Sequence, residues 1–230
     1  MKNLKIISSL MLIFSMQAYA SGMEDDPIVT KVMVEVESSN DSQQTWNLAA
    51  WAGKDLQKIW IKSEGEKEEG KIQEAELQLL YSQAISPFWD FQYGIKRDFK
   101  PTPTRDWLVV AAQGLTPYLF ELEASLFVGE SGRAAVRLDA EYEYMLTQKL
   151  VLSPEIEFNI FAKDDAAVGT GKGLANIEAG IKLQYEVMRE FAPYIGVNWG
   201  KKYSNTAKFA SNEGEDIEDT QVVLGLRFWF

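Results

Sequence analysis

A period of two runs through this chain from residue 28 to its last residue. In a strand, successive side chains point to opposite faces. Such a period therefore writes two different surfaces into one segment. The final ten residues, QVVLGLRFWF (residues 221–230), show it plainly. Val222, Leu224, Leu226, Phe228 and Phe230 fall on one face, and Val223, Gly225, Arg227 and Trp229 on the other. One face is uniformly apolar; the other is mixed and carries a cation. An edge strand of a soluble sheet and a strand with lipid on one side share this local pattern, so the rest of the chain has to decide between them.

The alternation divides into about twelve segments, near residues 28–37, 45–52, 56–64, 72–83, 88–97, 106–114, 118–128, 134–146, 150–162, 174–188, 192–203 and 221–230. Most match the ~9–11 residues of a tilted transmembrane strand. The connections alternate in length. Short ones centre on residues 53–55, 86–87, 116–117, 147–149 and 189–191; longer ones span 38–44, 65–71, 100–105, 129–133, 163–173 and 204–220. Bacterial outer-membrane barrels have short periplasmic turns and longer outer loops, and with both termini periplasmic the order fits throughout. The fold expected is all-β: an antiparallel transmembrane outer-membrane β-barrel of about twelve strands. A soluble barrel would place the same apolar face inward and the charged face outward.

The N-terminus carries the marks of export. Lys2 and Lys5 precede a mostly apolar run at residues 6–16, and Ala18-Tyr19-Ala20 offers a cleavage site. The expected organisation is a signal peptide over residues 1–20, a short acidic leader over 21–27 and one barrel domain over 28–230. Beyond that start, no apolar run approaches the ~18 residues of a membrane helix. Removing the two lysines from 23 basic residues leaves 21 against 34 acidic, a net charge of −13. Nucleic acid is a poor partner for such a surface, and cations are natural company. Outer-membrane lipid and lipopolysaccharide are the expected surroundings. There is no cysteine, hence no disulfide and no thiolate metal site, and no histidine, hence no Ser-His-Asp arrangement. The chain reads as a non-enzyme.

The polar faces are rich in carboxylates: Glu74 and Glu76, Glu121 and Glu123, Asp139, Glu141 and Glu143, Glu155 and Glu157. Like charges two apart on one strand repel. The cations available on the same faces are Lys58, Lys62, Lys96, Arg137, Lys182 and Arg227. Either these form a salt-bridge network that fills a narrow lumen, or the surplus negative charge lines a cation-selective path. The acidic runs at residues 64–70 and 213–219 read as outer loops bridged to lipopolysaccharide by divalent ions, and residues 169–173 as a flexible loop tip.

Several blocks resemble one family. They are AELQLLYSQAISPFWDFQYGIKRDF (residues 75–99), QGLTPYLFELEASLFVGESG (113–132), YEYMLTQKLVLSPEIEFNIFAKDD (142–165), REFAPYIGVNW (189–199) and the ending RFWF (227–230). Together, in this order and spacing, they resemble the outer-membrane copper resistance protein B family from about Trp46 to Phe230. The resemblance implies a barrel that binds or conducts copper in copper resistance, with a periplasmic multicopper oxidase and small copper carriers as partners. Members often carry an N-terminal extension rich in Met and His. Here that region offers only Met23 with Glu24, Asp25 and Asp26.

Thioether sulfur suits Cu(I), and carboxylates suit harder ions. Met33 shares a face with Glu35; Met145 shares one with Glu141 and Glu143; Met188 follows Glu186 on its face. These seven residues are the candidate metal ligands. Met145 and Met188, each one step before a short turn, are expected at the periplasmic mouth. Methionine is also a flexible filler of irregular interiors. The reading from a different class is a small cation-preferring channel or structural envelope barrel with no copper-specific role.

Overall fold

The structure, a computed structural model, describes residues 26–230. The signal peptide of residues 1–20 and the leader up to Asp25 lie outside the described residues. Twelve strands follow the period of two: β1 (Val29–Ser39), β2 (Gln44–Gly53), β3 (Gln57–Glu68), β4 (Lys71–Ser86), β5 (Trp89–Lys100), β6 (Arg105–Leu115), β7 (Phe120–Gly129), β8 (Ala134–Tyr142), β9 (Leu150–Phe161), β10 (Gly173–Tyr185), β11 (Phe191–Lys202) and β12 (Glu218–Trp229). Strand β8 continues past Glu143 as Tyr144–Met145, in unchanged register against β9. Each strand pairs antiparallel with its neighbours in sequence, and β12 returns to β1. The sheet is a closed barrel without edges, so every backbone polar group in the wall can be met by a neighbour.

The closing seam runs from the Met33–Trp229 pair to the Ser39–Val223 pair. It is shorter than the β3–β4 ladder, which extends from Gln57 to Glu68. Two reciprocal bonds of 2.9 Å between Val32 and Phe230 extend it to the last residue.

The apolar faces point outward. Leu108, Ile181, Ile195 and Leu224 are all at least half exposed, Leu224 at 63%, while Lys62, Gln78, Gln92, Lys96 and Gln184 are buried inside. This is the inverse of a soluble barrel, and it makes the outer face a lipid-facing surface. Phe120 meets Tyr142 at a tilt at 4.9 Å, and Phe191 stacks on Phe228 at 5.0 Å, near the short-turn end. Toward the opposite end the outward charges come in pairs: Arg97 with Asp106 at 2.5 and 2.8 Å, and Lys201 with Glu218 at 2.6 Å. Between them the Val222–Phe230 run, at ~3.3 Å per residue and ~40° of tilt, covers about 20 Å, close to the ~25 Å apolar band of such barrels. The short-turn end is the periplasmic one by the same rule.

The loop expectations need three corrections. Residues 65–71 are not a long loop. Strands β3 and β4 extend through them to a tight turn at Glu69 and Gly70, with φ of 47° and 83°. Glu64 and Glu66 thus belong to the barrel wall, and the acid run was misread because the alternation continues through it. Residues 204–220 are not irregular throughout. Ser204–Glu213 forms helix α1, closed by Gly214 at φ 80°, and Glu218–Thr220 already belong to β12. Residues 169–173 are not a free tip, since the amide of Gly171 donates to the Thr206 hydroxyl of α1 at 2.9 Å. Asp164 joins the same contact by accepting from Asn205 at 3.0 Å. Beside it Asp165 accepts from Arg105 at 2.8 and 3.0 Å and pairs with Arg133 at 2.8 Å. The Arg105 hydrogen bonds hold the Asp165 carboxyl below the usual range.

Candidate functional site

Apolar side chains fill part of the lumen. Trp60, Leu80, Trp107, Val109, Phe127 and Ala135 pack into an apolar wedge, flanked by Met33, Ala49, Trp51 and Phe161. These come from strands β1–β4 and β6–β9, and Trp107 meets Phe127 edge to face at 6.5 Å. Buried polar groups lie on these strands and on β5 between them, Lys62, Gln78, Gln92 and Lys96 among them, and Ser153 and Gln184 continue them on β9 and β10. The wedge fills space that a wide pore would leave to water, and a residual internal cavity beside it measures about 30 Å³.

Carboxylates crowd the remaining interior. Glu64 lies directly opposite Glu76, Asp139 opposite Glu157, and Glu141 opposite both Glu121 and Glu155. Directly opposed like charges destabilise a sheet, so the six inward cations are needed. Each finds a carboxylate. Lys58 reaches Asp90 at 3.4 Å, Lys62 reaches Glu123 at 2.6 Å, and Lys96 lies between Glu76 at 2.5 Å and Asp98 at 3.3 Å. Arg137 bridges Glu76 at 3.1 Å, Glu64 at 3.3 Å and Glu157 at 3.6 Å. Lys182 holds Glu35 at 2.8 Å and Glu155 at 2.9 Å. Several of these bonds cross the barrel: β3 to β7 for Lys62, and β8 to β3 and β4 for Arg137. The salt-bridge network expected from the sequence is present.

Arg227 joins three of the seven candidate ligands. Its Nε faces Glu35 Oε2 at 3.4 Å, and its Nη1 faces Glu141 at 3.4 Å and Glu143 at 3.3 Å. Glu35 is in register with Arg227 on the adjacent strand, whereas Glu141 and Glu143 lie across the lumen on β8. Glu121, Glu141 and Glu186 stand close enough to Glu143 to repel its charge. Met145 ends β8 and is 66% exposed at the periplasmic rim. Met188 is also exposed, at 58%, but it is not on a strand face as expected. Strand β10 ends at Tyr185, and Met188 sits in the β10–β11 turn, bridged to Phe191. The alternation runs on past the strand end, which is why the sequence placed it there. Met33 is apart from both, packed against the apolar wedge. Among the described residues no group of three or more His, Cys, Asp or Glu has metal-holding geometry.

A family model described as copper resistance protein B precursor matches residues 29–230. The chain belongs to the copper resistance protein B family. The copper resistance protein B of Escherichia coli is 44% identical over 193 residues, 84% of this chain and 65% of its own length. The homolog from Pseudomonas syringae pv. tomato is 40% identical over 198 residues, 86% of this chain and 67% of its own. This member of the copper resistance protein B family therefore spans about two thirds of the length of those relatives. Solved structures agree on the architecture. The NanC porin superposes with a TM-score of 0.57 at 14% identity, over 86% of this chain and 98% of its own. The KdgM porin does so with 0.50 at 9% identity, over 87% and 99%. At these identities the likeness is one of fold.

Within this copper resistance protein B barrel, the groups that the sequence reading did not single out are hydrogen-bond donors to β1. The Tyr194 hydroxyl, with one proton to give, lies between Glu35 at 2.7 Å and Glu37 at 3.0 Å, and the Asn198 amide donates to Glu37 at 2.8 Å. Both lie on the inward face of β11 beside Gly196 and Gly200, and that alternation could have identified them. Tyr194 lies flat on Gly225, where an added Cβ would stand 2.1 Å from the ring. Two carboxylates hold the hydroxyl in place, so the ring cannot move aside freely. Gly225→Ala is expected to cost about 1–3 kcal/mol as an overpacked contact, read as a lower urea midpoint of the refolded barrel. An unchanged midpoint would show that the ring relaxes.

Proposed function

We propose that this chain is a non-enzymatic outer-membrane barrel that serves copper resistance by binding copper ions at its periplasmic mouth. The ligands in this reading are the thioethers of Met145 and Met188 with the carboxylates of Glu143 and Glu186. One observation carries it: two exposed methionines share a rim where Glu121, Glu141, Glu143 and Glu186 crowd together. Soft sulfur beside carboxylate fits copper in either oxidation state better than it fits magnesium or calcium, which prefer oxygen alone. Family membership supports the theme, since the relatives are named for copper resistance. Met33, half-buried against the wedge, is left out of the ligand set. The lumen above the mouth is filled by the wedge and crossed by ion pairs, which favours retention of copper at the rim over conduction through an open pore. Periplasmic copper carriers and a multicopper oxidase are the partners this reading calls for.

Titration of the refolded barrel with Cu(I) and Cu(II), against a chelator of known affinity, tests the proposal. Met145→Leu/Met188→Leu is expected to weaken Cu(I) binding by about tenfold or more, roughly 1.4 kcal/mol. Stability should barely change, because both side chains are exposed. Equal binding by the double variant and the parent would remove these methionines from the site. The reading as a structural barrel or general cation channel requires no copper binding at all.

A further inference from the structure

Arg227 is held more loosely than three of the lumen lysines. Lys62, Lys96 and Lys182 each have a carboxylate oxygen within 2.9 Å. Every contact of Arg227 lies between 3.3 and 3.5 Å: with Glu35, Glu141, Glu143 and the Gln184 side-chain carbonyl. Its Nε side leans on Glu35, which Lys182 and Tyr194 also hold. Its outer fork reaches across the mouth to Glu141 and Glu143 on β8, and the Glu143 side chain is 58% exposed. The guanidinium thus has a near partner that is itself fixed by Lys182 and Tyr194, and a far one, Glu143, that is open to water. Ion pairs that are long and solvent-exposed contribute little, so the far contacts are the part of the network that a competing cation can take.

Resting on the copper-binding reading, we propose that Arg227 is a built-in competitor for the periplasmic metal site. Its fork occupies Glu141 and Glu143 when no metal is present. A copper ion taking Glu143 displaces the fork, which stays tethered to Glu35. Arg227 thereby sets the affinity of the mouth for cations and keeps weakly binding ions out. It is a positioning residue that acts through the carboxylates, not a ligand.

The test compares copper titrations of the refolded, full-length barrel for the parent, Arg227→Gln and Arg227→Lys. Arg227→Gln is expected to bind copper about tenfold more tightly than the parent, a gain of roughly 1.4 kcal/mol. Arg227→Lys keeps the charge and should stay within about threefold of the parent. The advantage of Arg227→Gln should shrink as salt is raised, because it arises from an exposed charge. A purely structural role for Arg227 would give a less stable barrel with unchanged or weaker copper binding, and that result overturns the proposal. Should Arg227→Gln fail to fold, Glu141→Gln loosens the same fork and is expected to tighten copper binding by about threefold, with equal or weaker binding again overturning it. If the parent binds no copper while Arg227→Gln does, the function reading falls and the competitor role stands. If the parent binds and Arg227→Gln binds no better, the reverse holds; if neither binds, both fall.

Discussion

Arg137→Met is expected to destabilise the barrel by about 3–5 kcal/mol, the cost of leaving buried charges without their partner. Arg137 is the one cation that faces Glu64, Glu76 and Glu157 together, and its side chain is 17% exposed. Glu64 and Glu76 are direct cross-strand partners, as are Asp139 and Glu157. Lys96 would still hold Glu76, but Glu64 and Glu157 would lose their salt bridge. Urea unfolding of the refolded protein in phospholipid vesicles measures the effect. Adding Glu64→Gln to Arg137→Met removes one stranded charge and should recover part of the loss. A loss under about 1 kcal/mol, or no recovery in the double variant, would mean that water already screens this part of the lumen.

The second large effect concerns the outer face. Leu224→Arg places a charge near the middle of the lipid-facing run of β12 and should cost about 2–4 kcal/mol. Thr220→Arg, on the same face of the same strand but toward the Lys201–Glu218 pair, should cost only about 0–1 kcal/mol. The contrast matters more than either value, because a soluble barrel has no depth axis. Equal costs at the two positions in vesicle-based unfolding would show that the apolar band is misplaced.

Much of this architecture was legible in the residues. All twelve strands follow the alternation, because one face must be apolar for lipid and the other polar for a narrow interior. The same logic identified Lys58, Lys62, Lys96, Arg137, Lys182 and Arg227 as partners for the inward carboxylates, and each is paired with one. What alternation does not encode is how an interior is filled. Trp60 stands between Lys58 and Lys62 on a polar face, and Trp107, Val109 and Phe127 likewise point inward. Their meeting as one wedge depends on which strands face each other across the barrel, a relation no local period contains. Helix α1 was missed because residues 204–220 read as polar and unpatterned, although Gly214 stands where a helix cap belongs. Met188 was misplaced by trusting the period beyond Tyr185. The alternation placed Glu35, Glu141 and Glu143 on the inward face and Met145 at the rim, but not the reach of Arg227 across the lumen.

The seam between β1 and β12 bears on how the barrel is assembled. It joins the two ends of the chain, so it is the most expensive pairing in loop-closure entropy and the slowest kind of contact to form. A short ladder offers little to specify its register, yet a slip by one residue would turn Glu35 and Glu37 into the bilayer. Those two side chains are met by Lys182 on β10, Tyr194 and Asn198 on β11 and Arg227 on β12. The register of the first strand is thus tied to each of the last three. The inward contacts of Glu35 and Glu37 therefore favour one register of the closing seam over its neighbours.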